Sequence, residues 1–268
     1  MKALQVMAYY GTSVIKMLVH FKPLGRLLSI FLRASDSQEK VLHFRKEPLR
    51  FVVRGRMDVW SIKETFLDAF YTRYGVSIED GWRVIDIGAG IGDFSVYAAY
   101  QKPGVTVYAY EPYPESYRLL VKNLGKNKIE NVQPYNLAVW SGEGPLNLNI
   151  SSGEPLKFES HRADHVQNDP DMLTVQAVSL ESILNEHHLE KLDLLKLDCE
   201  GAEYDILMDA PPQILHRVDR IIMEWHDFAG VDDHHALAAY LRDLGYRVVE
   251  HENCVHDNIG YLFASRIW

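Results

Sequence analysis

A glycine-rich turn follows a short apolar run near residue 84. The stretch reads VIDIGAGIGDFS over residues 84–95, with glycines at Gly88, Gly90 and Gly92. Glycine lets the backbone turn sharply and come close to a ligand, because no Cβ stands in the way. A helix is predicted from Asp93, and its free N–H groups would point at the same place. The turn is therefore predicted to hold a small molecule.

The spacing within this turn discriminates between classes of ligand. A dinucleotide loop places its third glycine where Asp93 stands, and an acid at that position opposes a pyrophosphate. A Walker loop is excluded because no Gly-Lys-Ser/Thr follows. An NAD(P)-linked oxidoreductase is thus the weaker alternative. S-adenosylmethionine suits the turn, since it carries a sulfonium and an ammonium group but no phosphate.

Two further strand ends supply candidates for the same ligand. The predicted strand VYAY is followed by Glu111, whose carboxylate could accept hydrogen bonds from both hydroxyls of a ribose. The alternative is a solvated surface glutamate. The next strand ends with Asn136, Ala138 and Val139, where backbone and small side chains could flank an adenine.

Several stretches of the chain resemble the FkbM family of S-adenosylmethionine-dependent class I methyltransferases. They are residues 84–99, 110–127, 136–140, 194–207 and 221–226, and KLDCEGAE in the fourth is the most distinctive. The resemblance covers roughly residues 60–265. It implies O-methylation of a hydroxyl on a sugar, a glycolipid or a related metabolite.

The resemblance also implies roles for individual residues in holding the cofactor. Asp86 and the glycines would bind the methionine part, Glu111 the ribose, and residues 136–139 the adenine side. The predicted cofactor site consists of Asp86, Gly88, Ala89, Gly90, Gly92, Phe94, Ser95, Glu111, Asn136, Ala138, Val139 and Asp198.

Methyl transfer to an alcohol benefits from a general base that takes the hydroxyl proton. Asp198 stands at the end of the fourth strand, where it could contact the cofactor's amino group or the acceptor hydroxyl. Glu224 and His226 end the fifth strand and point to one face. His226 is the first choice as base because histidine titrates near neutral pH. The alternative is a hydrogen-bonded histidine at a strand end.

The same three side chains are plausible ligands for a divalent metal. Metal-assisted O-methylation is therefore an alternative, although we favour a reaction without a metal.

Glu203 falls in the first turn of the helix that follows the fourth strand. An acid at that position is favourable for structural reasons alone.

Strands and helices alternate through most of the chain and define the fold class. Short connections predict a parallel sheet with right-handed crossovers. We expect a doubly wound α/β domain over 57–268, with about seven strands, helices on both faces and an antiparallel final strand. Residues 132–139 are predicted as one strand. An insertion at about 141–180 is predicted as a hairpin whose loop could cover the substrate or have no role.

Charge is distributed unevenly between the first 56 residues and the rest. Residues 1–56 hold 11 Lys and Arg against three acids, a net charge of +8. Since the whole chain has a net charge of −9, the rest carries −17. The acidic body disfavours nucleic acid as a partner and makes a nucleic-acid methyltransferase the less favoured alternative. The basic segment could approach an anionic surface such as a membrane.

Residues 1–33 predict two short amphipathic helices broken near Pro23 and Gly25. Their longest uncharged run has 13 residues, short of the ~20 that a spanning helix needs. Packing on the domain or a contact in a homo-oligomer is favoured over peripheral membrane binding. The two cysteines, Cys199 and Cys254, indicate a reducing compartment, and a cytoplasmic location is expected.

Overall fold

The structure is a computed structural model that describes residues 2–32, 38–73, 76–150, 160–161, 172–227, 233–253 and 255–266. The helices are α1 (Lys2–His20), α2 (Leu24–Leu32), α3 (Arg56–Lys63), α4 (Asp93–Ala99), α5 (Pro114–Asn127), α6 (Leu180–Glu186), α7 (Ala202–Met208), α8 (Pro212–Leu215) and α9 (His234–Asp243). The strands are β1 (Phe21–Lys22), β2 (Lys40–Phe44), β3 (Arg50–Val53), β4 (Arg83–Ile87), β5 (Thr106–Tyr110), β6 (Val132–Tyr135), β7 (Ala138–Val139), β8 (Gly144–Asn149), β9 (Ser160–His161), β10 (Met172–Val178), β11 (Leu194–Leu197), β12 (Arg220–His226), β13 (Arg247–Glu252) and β14 (Ile259–Ser265). A π-helical segment, Glu64–Asp68, continues α3.

The main sheet has seven strands in the order β13-β14-β12-β11-β4-β5-β6. The five strands from β12 to β6 run parallel, and β14 is antiparallel to both of its neighbours. The central strands β4 and β11 are apolar apart from Arg83 and Asp86 in β4 and Lys196 in β11, as expected of strands covered by helices on both faces. The predicted doubly wound fold and its antiparallel final strand are confirmed.

The order of the strands reverses at β4. The chain lays β5 and β6 on one side of β4 and later returns to place β11 on the other. The carboxyl ends of β4, β5 and β11 therefore meet at a switch point, where doubly wound sheets bind ligands. In this register Asp86 of β4 lies beside Lys196 of β11 and beside Ala109 of β5.

The prediction of one strand over 132–139 is wrong, because the chain leaves the main sheet at Asn136. β6 ends at Tyr135, and β7 pairs in parallel with β10 in a second sheet of order β7-β10-β8-β9. The predicted hairpin in the insertion is confirmed by the antiparallel pairing of β8 with β10. Most of its loop, 151–159 and 162–171, lies outside the described residues, so the expected lid stays a prediction.

The N-terminal segment contains more structure than the two predicted helices. Both helices are present, with β1 between them, and β1, β2 and β3 form an antiparallel sheet. Buried side chains of this segment share one core cluster with β4, β5, α4 and α5. Asn123 of α5 accepts a hydrogen bond from the Val52 N–H at 2.7 Å and donates to the Val52 carbonyl at 3.2 Å. The segment is therefore packed against the central sheet.

None of the helices in the described part of the chain has the length and hydrophobicity that crossing a membrane would require.

Candidate active site

The glycine turn directly follows the carboxyl end of β4. The backbone N–H groups of Gly88 and Ala89 both donate to the Tyr110 carbonyl of β5 at 3.0 Å. Gly88 has φ +69°, and a Cβ there would lie 1.8 Å from the Asp198 carbonyl oxygen. Gly90 has φ +55°, and no described atom lies within 4 Å of the position a Cβ would take. The turn is thus tightly packed towards β11 and open at Gly90.

Glu111 lies against this opening. Its side chain is nearly buried, and it accepts hydrogen bonds from the Gly90 N–H at 2.7 Å and the Tyr113 N–H at 2.9 Å. Burial raises the pKa of Glu111 to about 7, against the opposing effect of the two backbone donors. One donor reaches each carboxylate oxygen, so each oxygen retains a lone pair for a second donor.

A buried ion pair supports the turn from beneath. The Lys196 ammonium lies 2.9 Å from Asp86 Oδ1 and donates to the Gly88 carbonyl at 2.8 Å. Ser95 donates to Asp86 Oδ2 at 2.6 Å. Burial alone would lower the pKa of Lys196, but Asp86 and then Asp198 reverse the effect and raise it. Asp86 and Ser95 are fully buried and position the turn; direct contact of either with a cofactor stays a prediction.

The start of α4 is fixed by packing. A Cβ at Gly92 would come within 2.4 Å of Leu120, so this glycine allows α4 and α5 to approach each other. Phe94 is buried and meets the ring of Tyr71 edge-on at 5.3 Å. Asp93 accepts a hydrogen bond from Thr65 of the π-helical segment, and burial raises the pKa of Asp93 to about 6. Asp93 therefore links α4 to the π-helical segment.

The residues predicted near an adenine divide into two groups. Asn136 donates to the carbonyls of Glu111 at 2.8 Å and Pro112 at 3.0 Å, and so ties the end of β6 to the end of β5. Ala138 and Val139 are buried in β7, in the core beneath the second sheet. The structure thus brings Asn136 beside Glu111, while Ala138 and Val139 contribute to packing.

The three predicted catalytic side chains meet at the ends of β11 and β12. One ligand atom from each of Asp198, Glu224 and His226 lies within 4.8 Å of the others. Tyr71 donates to Asp198 Oδ2 at 2.6 Å, and Tyr261 donates to Glu224 Oε1 at 3.3 Å. Burial and then the nearby Asp198 raise the pKa of Glu224 well above its usual range. We call Asp198, Glu224 and His226 the acid–histidine cluster.

The surroundings of His226 raise its pKa, whereas the sequence suggested a near-neutral base. Its Nδ1 lies 3.3 Å from Glu203 Oε1, and its Nε2 lies 3.7 Å from Glu200 Oε2. Burial alone would lower the pKa of His226, but Glu203 and then Glu200 outweigh it and raise this pKa well above the ordinary value. The raised pKa favours the protonated imidazole, and in that form the ring cannot act as a base.

Glu203 has the structural role that the sequence favoured. Its fully buried carboxylate accepts hydrogen bonds from the N–H groups of Cys199 and Gly201, both at 2.7 Å. Burial opposes its ionisation, but His226 and these donors overcome that effect and lower the pKa of Glu203. The carboxylate therefore fixes the loop after β11 and holds His226.

Sequence reasoning missed two tyrosines of this site. Tyr71 follows the π-helical segment, and Tyr261 lies in β14, far apart in the chain. The chain has 15 tyrosines, and nothing in the local sequence distinguishes these two from the rest. Lys196 did carry a signal, because a lysine within the apolar run LDLLKL must find a buried partner.

Replacing Glu203 with glutamine should move the titration of His226 towards ordinary histidine values. The amide retains a similar shape but removes the largest charge that holds the proton on the imidazole. Proton NMR of the His226 ring across a pH series would measure the shift. Glu200→Gln is the matched control, since Glu200 is farther from the ring and should produce a smaller change. An equal shift in both variants would contradict the assignment to Glu203.

Comparisons with known proteins identify the family of this chain. The model of the "Methyltransferase FkbM domain" matches residues 86–248. The 31-O-demethyl-FK506 methyltransferase FkbM of Streptomyces tacrolimicus is 27% identical over 217 residues, which cover 71% of this chain and 82% of that protein. The hexuronic acid methyltransferase AglP of Haloferax volcanii is 24% identical over 184 residues, 68% of this chain and 72% of that protein.

A solved structure shows the same fold. The methyltransferase FkbM of Methylobacillus flagellatus KT superposes with a TM-score of 0.52 at 15% identity. The match covers 73% of this chain and 47% of that one, so this chain spans about half its length. Since the family model covers more than half of the sequence, the chain belongs to the methyltransferase FkbM family.

Proposed function

We propose that this protein transfers a methyl group from S-adenosylmethionine to a hydroxyl of a sugar, a glycolipid or a related metabolite. The observation that carries the proposal is the opening at Gly90 beside the Glu111 carboxylate, with the acid–histidine cluster at the adjoining strand ends. The names of two relatives refer to 31-O-demethyl-FK506 and to a hexuronic acid. Those names support an oxygen acceptor.

The described residues fit this cofactor in shape and in charge. The missing Cβ of Gly90 leaves space for a ligand to approach the backbone, and Glu111 retains lone pairs for the hydroxyls of a ribose. The carboxylates of Glu111 and Asp198 would suit the cofactor's positive charge. When bound, the cofactor supplies a methyl group activated by a sulfonium.

The protein's own contribution would be to position the acceptor and to take its proton. Holding two reactants in line can contribute ~7–11 kcal/mol to lowering a barrier. We assign the proton to the acid–histidine cluster as a whole, because its groups lie close enough to share it. In our proposal the hydroxyl donates its single hydrogen bond to the ionised form of Glu224, whose raised pKa makes it a strong base. Asp198 and protonated His226 lie beside it.

The reaction is testable with the purified full chain. S-adenosylhomocysteine release and methylated product should both be followed with hexuronic acids, neutral sugars and glycolipids as acceptors. Glu224→Gln should abolish most turnover while cofactor affinity by isothermal titration stays unchanged. Tight binding of NAD with no response to S-adenosylmethionine would refute the cofactor, and methylation at nitrogen alone would refute the oxygen acceptor.

A metal-assisted reaction is the second candidate, and the proximity of the acid–histidine cluster favours it. The pairing of His226 with Glu203 opposes it, because a metal needs the unprotonated imidazole. Treatment with a chelator followed by Mg²⁺ or Mn²⁺ separates the two mechanisms. Activity that survives the chelator supports the metal-free reaction, and activity that is lost and then restored by the ion supports the metal.

Binding of S-adenosylmethionine should strengthen as the pH rises through about 7, the pKa of Glu111. The ionised carboxylate accepts two hydroxyl donors, whereas the protonated form presents a donor of its own, so affinity should level off above that pH. Isothermal titration at several pH values measures the effect. Glu111→Gln should remove the pH step and weaken binding above it by about tenfold to a hundredfold.

The matched control is Glu115→Gln, an exposed acid in the first turn of α5. It should leave both the affinity and its pH dependence unchanged. A pH step that persists in Glu111→Gln would show that another group is responsible.

A further inference from the structure

Helix α1 turns an apolar face outward. Its most exposed large apolar side chains are Leu4, Met7, Val14, Ile15 and Val19, which are 75%, 72%, 49%, 62% and 54% exposed. At 100° per residue they fall on one side of the helix. A helix that packs on a soluble domain normally shows the reverse pattern, with its apolar side inward.

Polar contacts on the opposite side fix this orientation. Tyr9 donates to Glu64 at 3.1 Å and accepts from the buried Lys63 ammonium at 2.8 Å. About two turns further on, the Lys16 ammonium forms an ion pair with Asp68 at 2.5 Å. Rotating α1 to bury its apolar face would break these bonds and leave Lys63 with fewer partners in the core.

Helix α2 extends the same kind of surface. Leu27 and Ile30 face the core, whereas Leu24, Leu28, Phe31 and Leu32 are 40%, 48%, 37% and 80% exposed. Together with the outward side of α1 these residues form what we call the apolar N-terminal face. Exposed apolar side chains concentrated on two successive helices mark an interaction site.

Exposed cations lie near the junction of the two helices. Lys22 and Arg26 are exposed there, and Arg26 donates to the Val41 carbonyl of β2 at 2.6 Å. After burial, the next causes that lower the pKa of His43 in β2 are Arg50, Arg26, Lys22 and Lys126. The strand registers place Lys22 and Arg50 opposite His43 on either side of β2, so these positive charges share one region of the sheet formed by β1, β2 and β3.

We propose that the apolar N-terminal face docks on the surface of an anionic lipid membrane. Apolar side chains would enter the boundary between headgroups and acyl chains, while Lys22 and Arg26 contact lipid phosphates. A second copy of this chain fits less well. A twofold contact would bring the same face of both copies together, and with it two segments that each carry a net charge of +8.

Flotation of the full chain with lipid vesicles tests this proposal independently of methyl transfer. The protein should float with vesicles of phosphatidylcholine and phosphatidylglycerol in equal parts, and binding should fall with added salt. Leu4→Glu/Ile15→Glu should lower vesicle binding by at least about tenfold. Lys22→Gln/Arg26→Gln should cause a similar loss on anionic vesicles only, since each basic residue contributes about fivefold near such a surface.

The matched control is Val121→Glu/Met208→Glu, which changes two apolar residues elsewhere that are 43% and 44% exposed. This variant should float like the wild type, and circular dichroism should show that every variant is folded. Absence of flotation for the wild type would overturn the proposal. So would equal flotation of the Leu4→Glu/Ile15→Glu variant, or a dimer in solution that this variant dissociates while vesicles bind neither protein.

Discussion

Replacing Lys196 with methionine should lower the free energy of unfolding by about 3–5 kcal/mol. The Lys196 ammonium lies 2.9 Å from Asp86 Oδ1, and the two side chains are 3% and 0% exposed. Methionine fills similar volume but leaves the Asp86 carboxylate buried without an opposite charge. The Gly88 carbonyl would also lose its donor. Urea denaturation followed by circular dichroism measures the loss.

The dependence of this loss on pH gives a second readout. Without Lys196, an ionised Asp86 is a buried charge that has lost its ammonium partner, so adding a proton to it removes this cost from the folded variant. The difference from the wild type should therefore shrink as the pH falls. Lys196→Met/Asp86→Asn, which removes both charges, should recover much of the stability at neutral pH.

Lys191→Met is the matched control for Lys196→Met. Lys191 is 55% exposed and pairs with Asp219, and an exposed pair of this kind contributes at most about 1 kcal/mol. If both variants unfolded at the same urea concentration, the buried pair would not have the supporting role described above.

The sequence predicts the scaffold well because its signals are local. Alternating strands and helices define the doubly wound sheet, and the glycine turn places the site at the end of β4. The prediction of one strand over 132–139 is wrong because of a contact between distant parts of the chain. The amide of Asn136 bonds to the carbonyls of Glu111 and Pro112, so the chain leaves the main sheet there, and β7 joins β10 instead.

The protonation state of the site could not be predicted, because it depends on distances between elements. The sequence predicts His226 at a strand end and Glu203 in the first turn of a helix. It does not give the distance of 3.3 Å between His226 Nδ1 and Glu203 Oε1. Tyr71 reaches Asp198 from a segment 127 residues earlier in the chain. This contact depends on how the chain after the π-helical segment packs against the end of β11, which no local pattern in the sequence specifies.

Gly90→Ala should leave the fold intact but weaken binding of S-adenosylmethionine by roughly tenfold to a hundredfold. A Cβ at Gly90 meets no described atom within 4 Å, so the only folding cost is the backbone strain of alanine at φ +55°, about 1–2 kcal/mol. The new methyl group would project into the space where we propose that the cofactor approaches the turn. Overpacking of that size typically costs about 1–3 kcal/mol, which gives the expected loss of affinity.

Alanine variants at two other glycines serve as controls for Gly90→Ala. One tests the effect of backbone strain, and the other tests the effect of a clash that disturbs the fold. Gly81 has φ +88° and likewise no described neighbour within 4 Å of its Cβ position, but it lies before β4, so Gly81→Ala should match the strain without the loss of affinity. Gly88→Ala would force a Cβ to within 1.8 Å of the Asp198 carbonyl and should reduce both stability and binding. Thermal unfolding and isothermal titration on the three variants measure these effects. If Gly90→Ala bound S-adenosylmethionine as tightly as Gly81→Ala, the cofactor would have to lie away from the open side of the turn.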